Sequence, residues 1–192
     1  MLLTTLKNLS SSPNTRLFSK MNQTPIIGIL GGVGPMAGVV LQNYIIMNTN
    51  ATKDQDHLTV IHTCDAQNIT DQTDYLISLS DSTKPKIPNP GLHMAQVAIN
   101  SSQHSKLFGK PCVLGVPCNS FHSPSIFEVF EKEVNAWNSL NNNKGESGDI
   151  RILNMINLTV DYIVSKGYKT VGLMSTTGTR NQKLYRDPLE AA

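Results

Sequence analysis

From Pro25 onward, short apolar runs alternate with longer amphipathic stretches, which is the pattern of an α/β protein. Ile26-Ile27-Gly28-Ile29-Leu30 is too short for a helix and is bounded by Gly31-Gly32, so it predicts a buried strand. A helix is predicted from Pro35, a favourable first-turn residue, with Met36, Val39, Val40, Tyr44 and Met47 on one face. Leu58 to His62 reads as a second strand running into Thr63-Cys64-Asp65. A polar stretch broken by Pro85, Pro88 and Pro90 leads to a helix from Gly91 to Lys106 and a third strand from Pro111 to Val116. Strands separated by helices imply parallel order.

The third strand enters Pro117-Cys118-Asn119-Ser120-Phe121-His122 and then a helix, where Ser125 and Glu128 have capping-box spacing. Ile126, Phe127, Phe130, Val134 and Trp137 recur at helical intervals and belong to the core. Asn138 to Gly148, with three consecutive asparagines, is a solvated loop, after which the alternation restarts. A strand is predicted over Ile152 to Ile156, a helix over Leu158 to Lys166, a strand over Thr170 to Met174, and a last helix from near Asn181. The chain therefore divides into a tail (1–24), a first α/β unit (25–137), an Asn/Gly-rich loop (138–150) and a second unit (151–192).

Composition narrows the function classes. Of the 192 residues 39% are hydrophobic, and no apolar run nears the roughly 18 residues of a membrane span, so the chain reads as a globular protein without a membrane partner. Sixteen basic against 14 acidic side chains, with no Lys/Arg stripe, argue against nucleic acid. Cys64, Cys112 and Cys118, an odd number, make no disulfide framework and suit a reducing cytoplasm. The first 25 residues carry only Lys7, Arg16 and Lys20 as charges, and no acid precedes Asp54. Residues 1–20 thus also have the composition of a mitochondrial transit peptide, the other readings being a tail or a start at Met21.

The three loops richest in polar chemistry are Gly31 to Pro35, Pro117 to His122 and Ser175 to Arg180, and each follows the carboxyl end of a predicted parallel strand. Open α/β sheets place ligands there. Each loop also leads into a helix whose first N–H groups and partial positive charge suit a carboxylate. For Cys118 the same field favours the thiolate, the form able to take a proton from carbon.

Gly28-Ile29-Leu30-Gly31-Gly32-Val33-Gly34-Pro35, Pro117-Cys118-Asn119-Ser120-Phe121-His122 and Met174-Ser175-Thr176-Thr177-Gly178-Thr179 resemble, in order and spacing, three successive loops of the aspartate/glutamate racemase family. The resemblance extends over residues 25 to 192. It implies two pseudo-symmetric parallel-sheet lobes, the second incomplete here, with the active site between them, and a homodimer when complete. It also implies an isomerase that inverts an acidic amino acid without a cofactor, by removing the α-proton on one face and returning one on the other. Cys118 would be the first of two opposed cysteines. Gly32, Gly34, Asn119, Ser120, Thr176, Thr177 and Thr179 would bind substrate and stabilise developing charge, with His122 orienting the loop or tuning the thiol. No lysine lies in the three loops to hold pyridoxal phosphate.

Two positions depart from the family's pattern. Its second cysteine belongs to a Gly-Cys-Thr-Glu type segment that these 192 residues do not reach, and Gln72 stands where an arginine would grip the substrate's carboxylate. Cys64 is the candidate replacement thiol, though it shares a lobe with Cys118. The expectation is therefore weak binding of acidic amino acids, no measurable racemisation by the 192 residues, and poorly covered apolar positions at Ile152, Val171 and Leu173. A catalytically impaired carboxylate-binding derivative of the same fold is the alternative. Two other readings compete less well. Gly32-Val33-Gly34-Pro35-Met36-Ala37 satisfies a dinucleotide fingerprint, but Pro35 removes an N–H from the phosphate turn and no acid sits at the usual spacing. His62, Cys64, Cys118 and His122 contain no paired metal-ligand spacing.

Overall fold

The structure, a computed structural model, describes residues 24–141 and 148–192. Of the tail expected over 1–24 only Thr24 is described, and 142–147 of the Asn/Gly-rich loop also lie outside the described residues.

β1 (Ile26–Gly31), β2 (Val60–Cys64), β3 (Cys112–Gly115) and β4 (Ile150–Leu153) form one parallel sheet in the order β2-β1-β3-β4. The predicted α/β class is thus observed. Register is fixed by pairs such as Gly31 with Cys64, Ile29 with Gly115, and Gly115 with Leu153. Helices α1 (Pro35–Asn48), α2 (Gln72–Ser80), α3 (Pro90–Leu107) and α4 (Pro124–Leu140) connect the strands. Beyond β4 come α5 (Met155–Ser165) and two short helices, α6 (Thr177–Asn181) and α7 (Arg186–Glu190).

Alternation along β2 assigns the helices to faces. His62 bonds Gln42 of α1, while Thr63 bonds Ser101 of α3, so α1 and α3 cover opposite faces. On the α3 face Ile26, Leu30, Cys112, Leu114 and Ile150 meet Met94, Ala98, Phe121 and Phe130, all buried. Phe121 packs edge-on against Phe130 at 5.4 Å between ring centroids. Side chains of this size contribute roughly 1.5–3 kcal/mol each on burial, so this face holds most of the core. On the other face α1 approaches closely because Gly38 and Gly31 leave room for the His62 ring.

Four expectations need correction. The α1 face of Met36, Val39, Val40, Tyr44 and Met47 is exposed, from 44% to 70%, and the buried positions are Gly38 and Ile45. This helix carries no charge and its apolar residues are spread around its circumference, so periodicity could not identify its inner face. Ser125 and Glu128 form no capping box, since α4 begins at Pro124 after Ser123. The fourth strand opens no second unit: it pairs with β3, so the first sheet extends through Leu153, and Ile152 packs against its core. Thr170 to Met174 runs without helix or strand pairing, and no second sheet forms among the described residues. Val171 and Leu173 are exposed there, as expected, and Met174 is 99% exposed.

Candidate functional site

Cys118 leaves the carboxyl end of the sheet through a tight turn. Its N–H donates to the carbonyl of Val116 at 2.9 Å, wrapping the chain around Pro117. The thiol is half-buried, with Sγ 3.4 Å from Ser120 Oγ. A single 3-10 turn, Ser120–His122, follows, and Ser123 then accepts from the N–H groups of Ile126 and Phe127 to start α4.

His122 holds this loop. Its ring is buried and stacks on Phe127 at 4.7 Å, and Nδ1–H donates to the carbonyl of Cys118 at 2.7 Å. Nε2 accepts the N–H of Met155, at the start of α5, at 3.2 Å. One neutral tautomer satisfies both bonds. Burial pushes the pKa of His122 down to about 4, against the smaller opposing effect of the bond to Cys118. A neutral imidazole with both nitrogens engaged positions the loop and is not free to exchange protons with substrate.

Gly32 and Gly34 sit at the end of β1 with φ of 102° and 91°, a region that favours glycine. A side chain at Gly32 would press on the backbone of Asp65 and Ala66, so the β1 and β2 loops lie in contact. Asp65 itself is ordered by two bonds: His93 Nε2 meets Oδ2 at 2.7 Å and Asn68 donates to Oδ1 at 2.8 Å. These hydrogen bonds, that from His93 first, hold its carboxyl below the ordinary pKa. The signals for this pair were an acid directly after a strand at the ligand-bearing end and a histidine in the first turns of the next long helix. α2 was also missed, although Asp71 marked it as a capping residue bonded to the N–H groups of Thr73 and Asp74.

The remaining expected residues fall into two groups. Cys64 ends β2 and is exposed, and Gln72 begins α2 with its amide turned to the carbonyl of Thr70 at 3.3 Å. Thr176 caps α6, its hydroxyl 3.2 Å from that of Thr179. Thr177 is exposed, whereas Thr179 is buried and its hydroxyl is occupied within the turn. This threonine turn is tied to the cysteine loop by Ser123 bonding Gln182 at 3.3 Å and by Tyr185 donating to Asn119 Oδ1 at 2.6 Å. Tyr185 was not anticipated. Burial raises its pKa, with a hydrogen bond to Thr159 acting the other way. A cavity of about 560 Å³ opens beside this pair, lined among others by Asn119, Thr159, Leu173, Ser175 and Arg186.

His62, Cys64, Cys118 and His122 do not converge on a common point, since His62 is turned to Gln42 and His122 is bonded at both nitrogens. Among the described residues no group of three or more His, Cys, Asp or Glu side chains is placed to hold a metal, and no helix is long and apolar enough to cross a membrane.

No family model matches the chain. Among solved structures it is similar to an aspartate racemase of Picrophilus torridus, with a TM-score of 0.60 and 26% identity over 88% of this chain. The match spans 59% of that protein's length. The chain thus has a racemase-like fold.

Proposed function

We propose that the chain carries the first half of an amino-acid racemase site and acts on aspartate or glutamate without a cofactor. The observation that supports this most is Cys118: a half-buried thiol at the carboxyl edge of a parallel sheet, pinned through its own carbonyl by His122, in a fold shared with an aspartate racemase.

In this reading the Cys118 thiolate takes the α-proton from one face of the substrate. The amide of Asn119, the hydroxyl of Ser120 and the loop of Gly32 and Gly34 would hold the α-carboxylate, into which the carbanion's charge spreads. Tyr185 occupies the Asn119 carbonyl oxygen and so leaves its NH₂ to donate, the polarity a carboxylate needs. A second group must protonate the opposite face.

Gln72 supports a second reading, a carboxylate-binding protein without turnover, because its neutral amide is already engaged by Thr70 and no guanidinium takes that place. Chiral chromatography after incubation with L-aspartate and, separately, L-glutamate separates the two. D-isomer formation supports the racemase. Saturable binding with no change of configuration and no exchange of the α-proton supports the second reading.

A further inference from the structure

We propose that Tyr185 is a positioning residue that makes the site select a carboxylate over a carboxamide, by fixing which end of the Asn119 side-chain amide faces the ligand. The inference deepens the reading above, in which Asn119 holds the substrate's α-carboxylate, and rests on it.

The need for such a residue follows from the chemistry of asparagine. Its amide turns about a terminal torsion with a broad, roughly two-fold preference, so an unheld side chain presents either an oxygen that accepts or an NH₂ that donates. Only the NH₂ suits a carboxylate, because the amide oxygen repels it. The backbone around Asn119 is already held: the Cys118 carbonyl accepts from His122, and the Asn119 carbonyl accepts from the His122 N–H at 3.0 Å. The amide makes no capping bond to the turn that follows, and among the described residues its partner is Tyr185. Three observations assign the deciding role to that phenol.

The first is distance. Tyr185 Oη lies 2.6 Å from the amide oxygen of Asn119. O–H···O bonds run from about 2.5 to 3.0 Å and N–H···O bonds from about 2.7 to 3.2 Å. The contact is therefore a phenol donating to the amide oxygen, and Nδ2 is the end left for a ligand.

The second is protonation, since a donor must keep its proton. Burial raises the pKa of Tyr185 above its ordinary 10.0, with the hydrogen bond to Thr159 acting the other way. The phenol thus stays a donor through neutral pH.

The third is anchoring. The turn before Tyr185 is fastened to the cysteine loop by buried Ser123, which donates to Gln182 at 3.3 Å. Lys183 then takes a left-handed backbone, φ 51°, and Leu184 is buried. A fixed backbone therefore delivers the ring to Asn119, and both residues line the cavity of about 560 Å³.

The test compares L-aspartate with its α-carboxamide, L-isoasparagine. Affinities are read from the concentration at which each ligand slows iodoacetamide labelling of Cys118, followed by peptide mass mapping. The proteins are wild type, Tyr185→Phe, Asn119→Ala, the double variant and Asn119→Asp. Wild type is expected to prefer aspartate by about tenfold or more, the worth of one hydrogen bond to a charged group. Tyr185→Phe keeps the ring and its packing. It should weaken aspartate by about tenfold and change the amide by less than about threefold, because the freed Asn119 can serve either ligand. A residue that merely supported the loop would weaken both ligands alike. In the Asn119→Ala background the same change should alter aspartate binding by less than about twofold, since no amide remains to orient. A preference unchanged in Tyr185→Phe, or a full Tyr185 effect in the absence of Asn119, overturns this proposal and leaves the reading of the site standing. Asn119→Asp, which turns an oxygen to the ligand, should reverse the preference. Aspartate binding undiminished in that variant, or no protection of Cys118 in folded wild type, overturns both.

Discussion

His122 lies with Nδ1 2.7 Å from the carbonyl oxygen of Cys118 and Nε2 3.2 Å from the backbone nitrogen of Met155, so one buried ring joins the cysteine loop to the start of α5. A second proton on the ring would sit on Nε2 and remove the lone pair that accepts from Met155, while Nδ1–H would still donate to Cys118. An unfolded chain protonates this imidazole near pH 6.5, whereas burial delays it to about 4 in the folded chain. Between those values the unfolded state binds more protons, so this contribution to stability is complete above pH 6.5 and is lost as the pH falls toward 4. The loss amounts to roughly 3 kcal/mol at most. Urea midpoints measured from pH 7.5 to 4.5 should fall across this window, and His122→Gln should flatten the dependence. An equally steep fall in the variant would place its source elsewhere.

The three cysteines should separate under alkylation. Cys112 is buried between β1 and β4, and desolvation pushes its thiol up to about 12, so native protein should leave it unmodified by iodoacetamide. Cys64 is exposed and should react, as should the half-buried Cys118. L-Aspartate should slow labelling at Cys118 and leave Cys64 unchanged, as read by peptide mass mapping. Cys118→Ser should abolish racemisation while changing stability by less than about 1 kcal/mol, a near-isosteric change at a half-buried site. Undiminished turnover in that variant would remove Cys118 from the mechanism, and equal protection of Cys64 would mean that aspartate acts away from the proposed loop.

Much of this arrangement was legible because the strands are short apolar runs ended by glycine or proline. Ile26 to Leu30 and Pro111 to Val116 announced β1 and β3 to within a residue or two, and the loop after β3 announced Cys118. What could not be read depends on partners distant in sequence. The strand expected over Ile152 to Ile156 reads as the opening of a new unit, whereas β4 lies at Ile150–Leu153 and only its pairing with Cys112 to Gly115 shows that it closes the first sheet. The Asp65 to His93 contact spans 28 residues and Tyr185 to Asn119 spans 66, with no local periodicity to mark them. The inner face of α1 was equally hidden, because Gly38, which contributes no hydrophobicity, is the residue that allows contact.

Gly38 offers a direct test of that packing. Alanine in an exposed helix interior would stabilise by about 1 kcal/mol over glycine. Here the added methyl meets the imidazole of His62, and overpacking of this kind costs about 1–3 kcal/mol. Gly38→Ala should therefore destabilise, and the sign should reverse in a His62→Ala background. A double-mutant cycle in chemical denaturation measures the coupling. Additive effects would show that α1 does not rest on His62.

The last prediction concerns Tyr168 to Ser175. Among the described residues no hydrogen bond engages this segment, and its side chains at Val171, Leu173 and Met174 are exposed beside the cavity under α7. Backbone with unpaired N–H and C=O groups beside exposed apolar side chains is a template for another strand, so the chain should self-associate with rising concentration. Two variants distinguish how. Val171→Thr with Leu173→Thr keeps strand propensity and removes apolar area. Gly172→Pro keeps the apolar area and removes an N–H from the pairing edge. If association proceeds by strand pairing, light scattering should fall most for Gly172→Pro. If it proceeds by apolar contact alone, the double threonine variant should show the larger fall. Both should retain the thermal midpoint of wild type, because the segment carries no hydrogen bond to the folded sheet. Scattering unchanged in both variants would clear this segment and point to the uncharged outer face of α1 instead.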